Sequence, residues 1–186
     1  GRPEETATFY VRQALDPLSG ASSPDRSDFE PTVIDEGQLS DQDLAALTAF
    51  GKAHDFAIFL QPGGLESVHA LWPENPTLVF ALPQWNIELA FRPLDFIQVN
   101  AGLNQKMIAR TFELLDPQPQ DRVLDLFCGL GNFTLPMARL VGEVVGVEGE
   151  ASLVARAREN ATRNGLANAQ FHAADLTQDQ RGTPWM

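Results

Sequence analysis

The stretch of sequence that decides the fold is DRVLDLFCGLGNFTLPMARLVGEVVGVEG, residues 121–149. Residues 122–127 form a short apolar run that stops at two glycines, Gly129 and Gly131, which predicts a buried strand followed by a tight turn. From residue 132 to residue 141 the apolar side chains recur at spacings of three and four, which predicts a helix.

A second apolar run, residues 143–147, follows and ends in an acid, Glu148. Strand, glycine turn, helix, strand and terminal acid make one βαβ unit of a parallel sheet. Glycines let a ligand approach the backbone of the turn closely, and the start of the helix offers free N–H groups. The Glu148 carboxylate is placed to accept hydrogen bonds from two ribose hydroxyls, so we expect a ligand that contains a nucleoside.

Two nucleoside cofactors fit such a unit, NAD and S-adenosylmethionine. The dinucleotide fingerprint requires glycine or alanine at its third small position, where this sequence has Thr134. The acid before the turn, Asp125, also suits a cationic ligand better than a pyrophosphate. Because S-adenosylmethionine has an ammonium and a sulfonium, the pattern favours it over NAD. A glycine turn that only joins strand to helix remains the alternative.

The composition is that of an acidic globular chain. Its 186 residues suffice for one large or two small domains, and 44% of them are hydrophobic. No run approaches the roughly 18 apolar residues of a membrane span, and residues 1–6 do not begin a signal peptide, so we expect a cytoplasmic protein. The 13 basic and 25 acidic residues give a net charge of −12, which argues against a freestanding nucleic-acid binder.

Two domains are predicted. Residues 1–92 are expected to form a small, partial α+β domain, with a strand at 6–13, a loop at 16–31, a helix from Ser40 to about His54, and strands at 56–60, 77–82 and 86–91. Residues 93–186 are expected to form the N-terminal half of a Rossmann-like α/β domain.

The second domain has further candidates for the ligand site. Gln98, Asn100 and Asn104 precede or begin a helix that leads into the first strand, although helix capping explains them equally well. A third strand, residues 169–173, ends near Asp175, which is placed to accept from an adenine amino group because adjacent strand ends line one crevice. A parallel sheet rarely stops after three strands, so we expect a part of a longer protein.

Three stretches resemble the RNA uracil-5-methyltransferase family: DFIQVNAGLNQKM at 95–107, VLDLFCGLGNFTLP at 123–136 and VVGVEG at 144–149. The resemblance is strongest to the members that methylate bacterial 23S ribosomal RNA. It covers residues 93–186 closely and residues 1–92 only loosely. It implies a partial Rossmann-like, S-adenosylmethionine-dependent methyltransferase domain preceded by a small α+β central domain.

The resemblance also implies roles for particular residues. The cofactor would be held at Gln98, Phe127, Asn132, Glu148 and Asp175. Phe96 would face a uracil flipped out of its stack. In the implied reaction a cysteine thiolate adds to C6 of uracil, C5 takes the methyl group, and a general base removes the C5 proton.

The family's nucleophilic cysteine and basic glutamate are expected beyond Met186, so no catalytic residue is expected in this chain. Its one cysteine, Cys128, is interpreted as a small buried residue. The cysteines of a 4Fe-4S cluster and the RNA-binding domain would also lie outside, and no metal site is expected here. The full-length protein would act on 23S ribosomal RNA, with no membrane and no obligate protein partner, and this chain alone would be inactive. A transfer-RNA uracil-5-methyltransferase, a small-molecule methyltransferase or reductase, and a non-catalytic scaffold stay open.

Overall fold

A computed structural model of the protein describes residues 39–183 and residue 185. The strand predicted at 6–13 and the loop predicted at 16–31 lie outside the described residues. The chain divides between Pro76 and Thr77 into two compact units. Across the described residues, each helix is too short or too polar to cross a bilayer.

In residues 39–76 the first unit has a helix and a two-stranded sheet. Helix α1, Asp41–His54, begins at a capping box in which the Ser40 hydroxyl accepts from the Asp43 N–H (3.3 Å) and the Asp43 carboxylate accepts from the Ser40 N–H (2.9 Å). Strands β1, Ile58–Leu60, and β2, His69–Trp72, pair antiparallel. The sequence did not predict β2 because its four residues, HALW, include no β-branched side chain.

The second unit begins with a hairpin. Strands β3, Leu78–Leu82, and β4, Ile87–Phe91, pair antiparallel across a short turn, Pro83–Trp85. The inward side chains of the hairpin are buried in the core of this unit. The predicted division into 1–92 and 93–186 falls after the hairpin, whereas the contacts of the chain divide before it. The domain boundary at residue 92 stays a prediction.

A parallel sheet forms the rest of the second unit. The elements are, in chain order, helix α2 (Ala101–Leu115), strand β5 (Arg122–Leu126), helix α3 (Thr134–Met137), strand β6 (Glu143–Glu148), helix α4 (Ala151–Arg163) and strand β7 (Ala169–Ala173). The three strands are parallel, and β6 lies between β5 and β7. This arrangement, preceded by small antiparallel sheets, confirms the predicted α/β fold class.

Helix α3 is shorter than predicted. The apolar spacing predicted a helix over residues 132–141, but only Thr134–Met137 is α-helical, and residues 138–142 are turns and bends. Pro136 has no N–H to donate to the preceding turn. Arg139 and Leu140 donate to carbonyls three residues back (3.1 and 2.8 Å), which tightens the backbone. The expectation of a long helix after the glycine turn is therefore wrong.

The two faces of the sheet are covered differently. On one face, helices α2, α3 and α4 bury the main core, which includes Ile108, Phe112, Leu135, Met137, Val144, Val154, Ala157 and Phe171. On the other face, Val145 and Val147 of β6 pack with Trp185. Leu124 and Leu126 of β5 pair in register with these valines but are exposed. The outer strand β5 therefore presents apolar surface.

Two asparagines one turn apart, Asn160 on α4 and Asn164 at its C-cap, bind the backbone of β4. The Asn160 amide accepts from the Ala90 N–H (2.9 Å) and donates to the Ala90 carbonyl (3.1 Å). Asn164 makes the same pair of bonds with Glu88 (2.9 and 2.7 Å). Asn160 also donates to the Leu130 carbonyl in the glycine turn (3.3 Å). Side-chain amides thus join the hairpin, α4 and the turn.

Candidate cofactor site

The glycine turn between β5 and α3 has an uncommon backbone. Phe127, Gly129 and Gly131 have positive φ angles of 61°, 53° and 94°. A Cβ on Gly131 would lie 2.9 Å from the Leu135 side chain, so both conformation and space require glycine there. Phe127 adopts the left-handed conformation at a cost of about 1–2 kcal/mol, and its ring is 72% exposed. Strain of this kind is typical of binding sites.

Glu148 reaches the turn from the end of β6. One carboxylate oxygen accepts from the Gly129 N–H (3.1 Å), and the other accepts from the N–H groups of Gly149 (2.7 Å) and Glu150 (3.4 Å). The structure therefore brings Glu148 to the opening beside Gly129. A carboxylate has about four acceptor sites, so Glu148 can still accept from a ligand hydroxyl.

A concave surface, here called the turn pocket, opens beside the glycine turn. Five of its lining residues were predicted as site residues: Phe96, Gln98, Phe127, Gly129 and Asn132. The others are Phe80, Ile97, Cys128, Leu130 and Phe133. Amide side chains and aromatic rings thus meet next to the backbone of the turn. This lining suits a ligand with a polar, cationic end.

The three polar residues at the start of α2 have different places. Gln98 lines the turn pocket. Asn100 caps α2, because its side chain accepts from the Leu103 N–H (2.9 Å). Asn104 is 1% exposed and pairs with Asn132, each amide donating to the other at 2.8 Å. Of the three, the structure places Gln98 on the pocket wall and Asn104 directly behind it.

A buried ion pair fixes the loop before α2. The Asp95 carboxylate accepts from the Arg92 N–H (2.6 Å) and from the guanidinium of Arg156 on α4 (2.7 Å). The side chains of Asp95 and Arg156 are only 10% and 7% exposed. No local pattern predicts this contact, because its partners are 61 residues apart. The pair holds the segment with Phe96 and Gln98 against α4.

Asp125 lies on a second concave surface. Its carboxylate accepts from the Thr134 hydroxyl (2.5 Å). The pKa of Asp125 is raised above its ordinary value, mainly because the carboxyl is buried. The negative charge of Glu148 raises this pKa further, and the bond from Thr134 partly offsets both effects. The other lining residues of this surface are Thr111, Phe112, Leu115, Val123, Leu124, Phe133 and Met137. The structure therefore does not bring Asp125 into the turn pocket with Gln98 and Asn132.

Cys128 is buried within the glycine turn. Burial raises the pKa of its thiol to about 12, and the charges of Asp125 and Glu148 act in the same direction. At neutral pH the sulfur is therefore a neutral thiol and a poor nucleophile. Among the described residues, no group of three or more His, Cys, Asp or Glu side chains is placed to hold a metal ion.

Asp175 follows β7 at the neighbouring strand end. The N–H of Ala174 donates to the Glu148 carbonyl (3.0 Å), so the backbones before Asp175 and at Glu148 are adjacent. The Asp175 carboxylate accepts from the hydroxyl and N–H of Thr177 (2.7 and 3.0 Å) and from Gln178 (3.3 Å). These bonds lower the pKa of Asp175. Its side chain is thus engaged in the turn that follows β7.

Known proteins resemble this chain over most of its length. A family model described as a methyltransferase domain matches residues 117–181. The 23S rRNA (uracil(1939)-C(5))-methyltransferase RlmD of Xanthomonas campestris pv. campestris (strain 8004) is 74% identical over 148 residues, which are 80% of this chain and 33% of that protein. The protein of the same name from Xylella fastidiosa (strain Temecula1) is 65% identical over the same shares.

One solved structure that matches is more distant. The tRNA (uracil-54, C5)-methyltransferase of Pyrococcus abyssi, in complex with S-adenosyl-L-homocysteine, is 21% identical with a TM-score of 0.48, over 55% of this chain and 24% of that one. The chain spans about one third of the length of the curated relatives that it matches. Over that third, this chain is a close homologue of the RlmD methyltransferases, which confirms the resemblance to RNA uracil-5-methyltransferases.

Proposed function

We propose that this chain provides the S-adenosylmethionine site of an RNA uracil-5-methyltransferase that acts on 23S ribosomal RNA. The observation that supports this most is the position of Glu148, whose carboxylate lies beside the glycine turn at the Gly129 N–H. Identity of 65–74% to enzymes named for 23S ribosomal RNA supports the substrate. It favours ribosomal RNA over transfer RNA, and over a small molecule, as the methyl acceptor.

The adenosine end of the cofactor is expected at Glu148 and Asp175. Ribose hydroxyls would donate to the Glu148 carboxylate, as they do to the acid at this position of Rossmann-like sheets. The adenine amino group would donate to Asp175 after that carboxylate turns away from Thr177. Asp175 is exposed, so water can replace the bonds that it gives up.

The methionine end is expected in the turn pocket. Gln98 and Asn132 offer amide groups to its carboxylate and ammonium. The rings of Phe127 and Phe96, 72% and 79% exposed, can attract the sulfonium through their faces. Phe96 is also the residue that we expect to face the flipped uracil.

The proposed reaction proceeds through a covalent adduct. A cysteine thiolate adds to C6 of uracil, and C5 takes the methyl group from the sulfonium, leaving S-adenosylhomocysteine. A base then removes the C5 proton, and the thiolate leaves. Cys128 is unsuited to this step because it is buried and its pKa is about 12. The nucleophile is therefore expected in the parts of the relatives that this chain does not span. The base and a 4Fe-4S cluster are expected there as well. The whole protein is expected to act on ribosomal RNA in the cytoplasm.

Isothermal titration of this chain with S-adenosylhomocysteine and with NAD tests the cofactor. We expect S-adenosylhomocysteine to bind and NAD not to compete with it. Gln98→Ala should weaken S-adenosylhomocysteine binding about tenfold, the effect of one lost hydrogen bond of ordinary strength. The exposed Gln61→Ala, in the first unit, is the matched control and should bind as the unmodified chain does. Preference for NAD, or binding of neither cofactor, would contradict the proposal.

Methyl transfer by the chain itself can be measured with radiolabelled S-adenosylmethionine and 23S ribosomal RNA. We expect no transfer, because the single cysteine of the chain is a buried neutral thiol. A full-length RlmD relative serves as the positive control. Turnover by this chain alone would show that its own residues include the nucleophile.

A further inference from the structure

A buried side chain from outside the βαβ unit supports the glycine turn. Asn104, in the first turn of α2, forms a two-bond ring with Asn132, in which Nδ2 of each donates to Oδ1 of the other at 2.8 Å. Asn104 is buried, whereas Asn132 is partly exposed and lines the turn pocket. We propose that Asn104 is a positioning residue that fixes the Asn132 amide in the orientation that binds the methionine end of S-adenosylmethionine. This inference rests on the proposed function.

The two-bond ring determines what Asn132 can offer a ligand. An asparagine amide has two N–H donors and an oxygen with two acceptor sites. The ring uses one donor and one acceptor site of Asn132, so one of each remains, and both point away from Asn104. Without the ring, the amide can rotate about its last side-chain bond, because the χ2 torsion of asparagine has a broad range of allowed angles. Both remaining groups would then lose their fixed direction.

Asn104 is itself firmly placed. Its N–H donates to the carbonyl of the helix cap Asn100 (2.9 Å), and the inner face of α2 is buried in the core. The segment that contains Gln98 leads directly into this first helical turn. Asn104 therefore connects the two amide side chains, Gln98 and Asn132, that we expect at the methionine end.

A buried asparagine also stabilises a fold, so a control must separate stability from positioning. Asn168 is the matched control, because its Nδ2 donates to the carbonyls of Ala138 and Val141, both at 2.9 Å. It lines neither the turn pocket nor the surface that contains Asp125. Asn168→Leu should lower the free energy of unfolding and leave the affinity for S-adenosylhomocysteine unchanged.

The test is a titration of S-adenosylhomocysteine into the unmodified chain, Asn104→Leu and Asn168→Leu, with folding checked by circular dichroism. Asn104→Leu keeps a similar volume but removes the ring, and we expect about tenfold weaker binding. Binding of Asn104→Leu as tight as that of the unmodified chain would overturn the inference and leave the proposed function standing. Failure of the unmodified chain to bind would instead overturn the proposed function, and the inference with it.

Asn104→Asp gives a second readout, which also serves if Asn104→Leu does not fold. A protonated carboxyl can form the same two-bond ring with Asn132, whereas a carboxylate has no proton to donate. Burial raises the pKa of an acid at this place, so the ring should return as the pH falls. We expect the affinity of Asn104→Asp, relative to the unmodified chain, to rise about tenfold between about pH 8 and about pH 5. A ratio that stays constant over this range would overturn the inference.

Discussion

At the scale of single residues, the candidate site depends most on Glu148. Its carboxylate accepts N–H groups from Gly129 in the turn and from Gly149 after β6. The group that we expect to bind ribose therefore also holds the turn in place. Ribose hydroxyls and backbone N–H groups are both hydrogen-bond donors, so a carboxylate, which only accepts, can bind both.

Glu148→Gln is expected to weaken both cofactor binding and the fold. The amide nitrogen would set a donor against the N–H of Gly129 or of Gly149. We expect about tenfold weaker binding of S-adenosylhomocysteine by titration, and a loss of about 1–3 kcal/mol in the free energy of unfolding by urea. Glu159→Gln removes the same charge from an exposed position on α4 and is the control. Equal affinities in the two variants would exclude the proposed role of Glu148.

Cys128 is expected to resist alkylation while the chain is folded. The pKa of its thiol is raised from an ordinary 9.0 to about 12, so the folded state favours the neutral thiol. This contribution to stability is complete below about pH 9 and is lost as the pH rises towards 12. Mass spectrometry after iodoacetamide treatment should show little modification at neutral pH and complete modification in guanidinium. Rapid alkylation of the folded chain at neutral pH would contradict the buried, neutral state.

At the scale of elements, the strands of the parallel sheet could be predicted and their connections less well. The predicted strand at 169–173 coincides with β7, and β5 and β6 differ from prediction by one residue at one end, because glycine or acidic residues bound their apolar runs. Helix α3 was predicted too long because the apolar spacing continues through tight turns that are not helical. The ion pair of Asp95 with Arg156 could not be predicted, since only the fold brings the two residues together.

Asp95→Asn is expected to lower the free energy of unfolding in urea by about 3–5 kcal/mol, because it leaves the Arg156 guanidinium buried without an opposite charge. The Nε of Arg156 already has no hydrogen-bond partner among the described residues. Adding Arg156→Met removes the buried charge and should recover much of that loss. Binding of S-adenosylhomocysteine should weaken in both variants, because Asp95 also anchors the segment with Gln98. A double variant as unstable as Asp95→Asn would argue against this account.

At the scale of the whole molecule, the fold class and the family could be predicted from the composition and the resemblance, whereas the contacts of individual side chains could not. The net charge of −12 opposes binding to phosphates, so most contacts to RNA are expected from the parts of the relatives outside the matched third. The turn pocket joins residues predicted from separate motifs, Gln98 and Asn132 among them. Asp125 was predicted as the acid before the glycine turn and Asp175 as an acid at a strand end. In the structure their carboxylates accept from the hydroxyls of Thr134 and Thr177, and their roles in cofactor binding stay predictions.

S-adenosylmethionine is expected to bind beside the glycine turn, with its ribose at Glu148. The most direct test of this central claim is a proton–nitrogen correlation spectrum of the isotope-labelled chain, recorded with and without saturating S-adenosylhomocysteine. We predict that the backbone N–H signals of Gly129 and Gly149 and the side-chain amide of Asn132 shift, while Gly165, after α4, does not. A saturated spectrum in which the signals of Gly129, Gly149 and Asn132 stay in place would contradict the account.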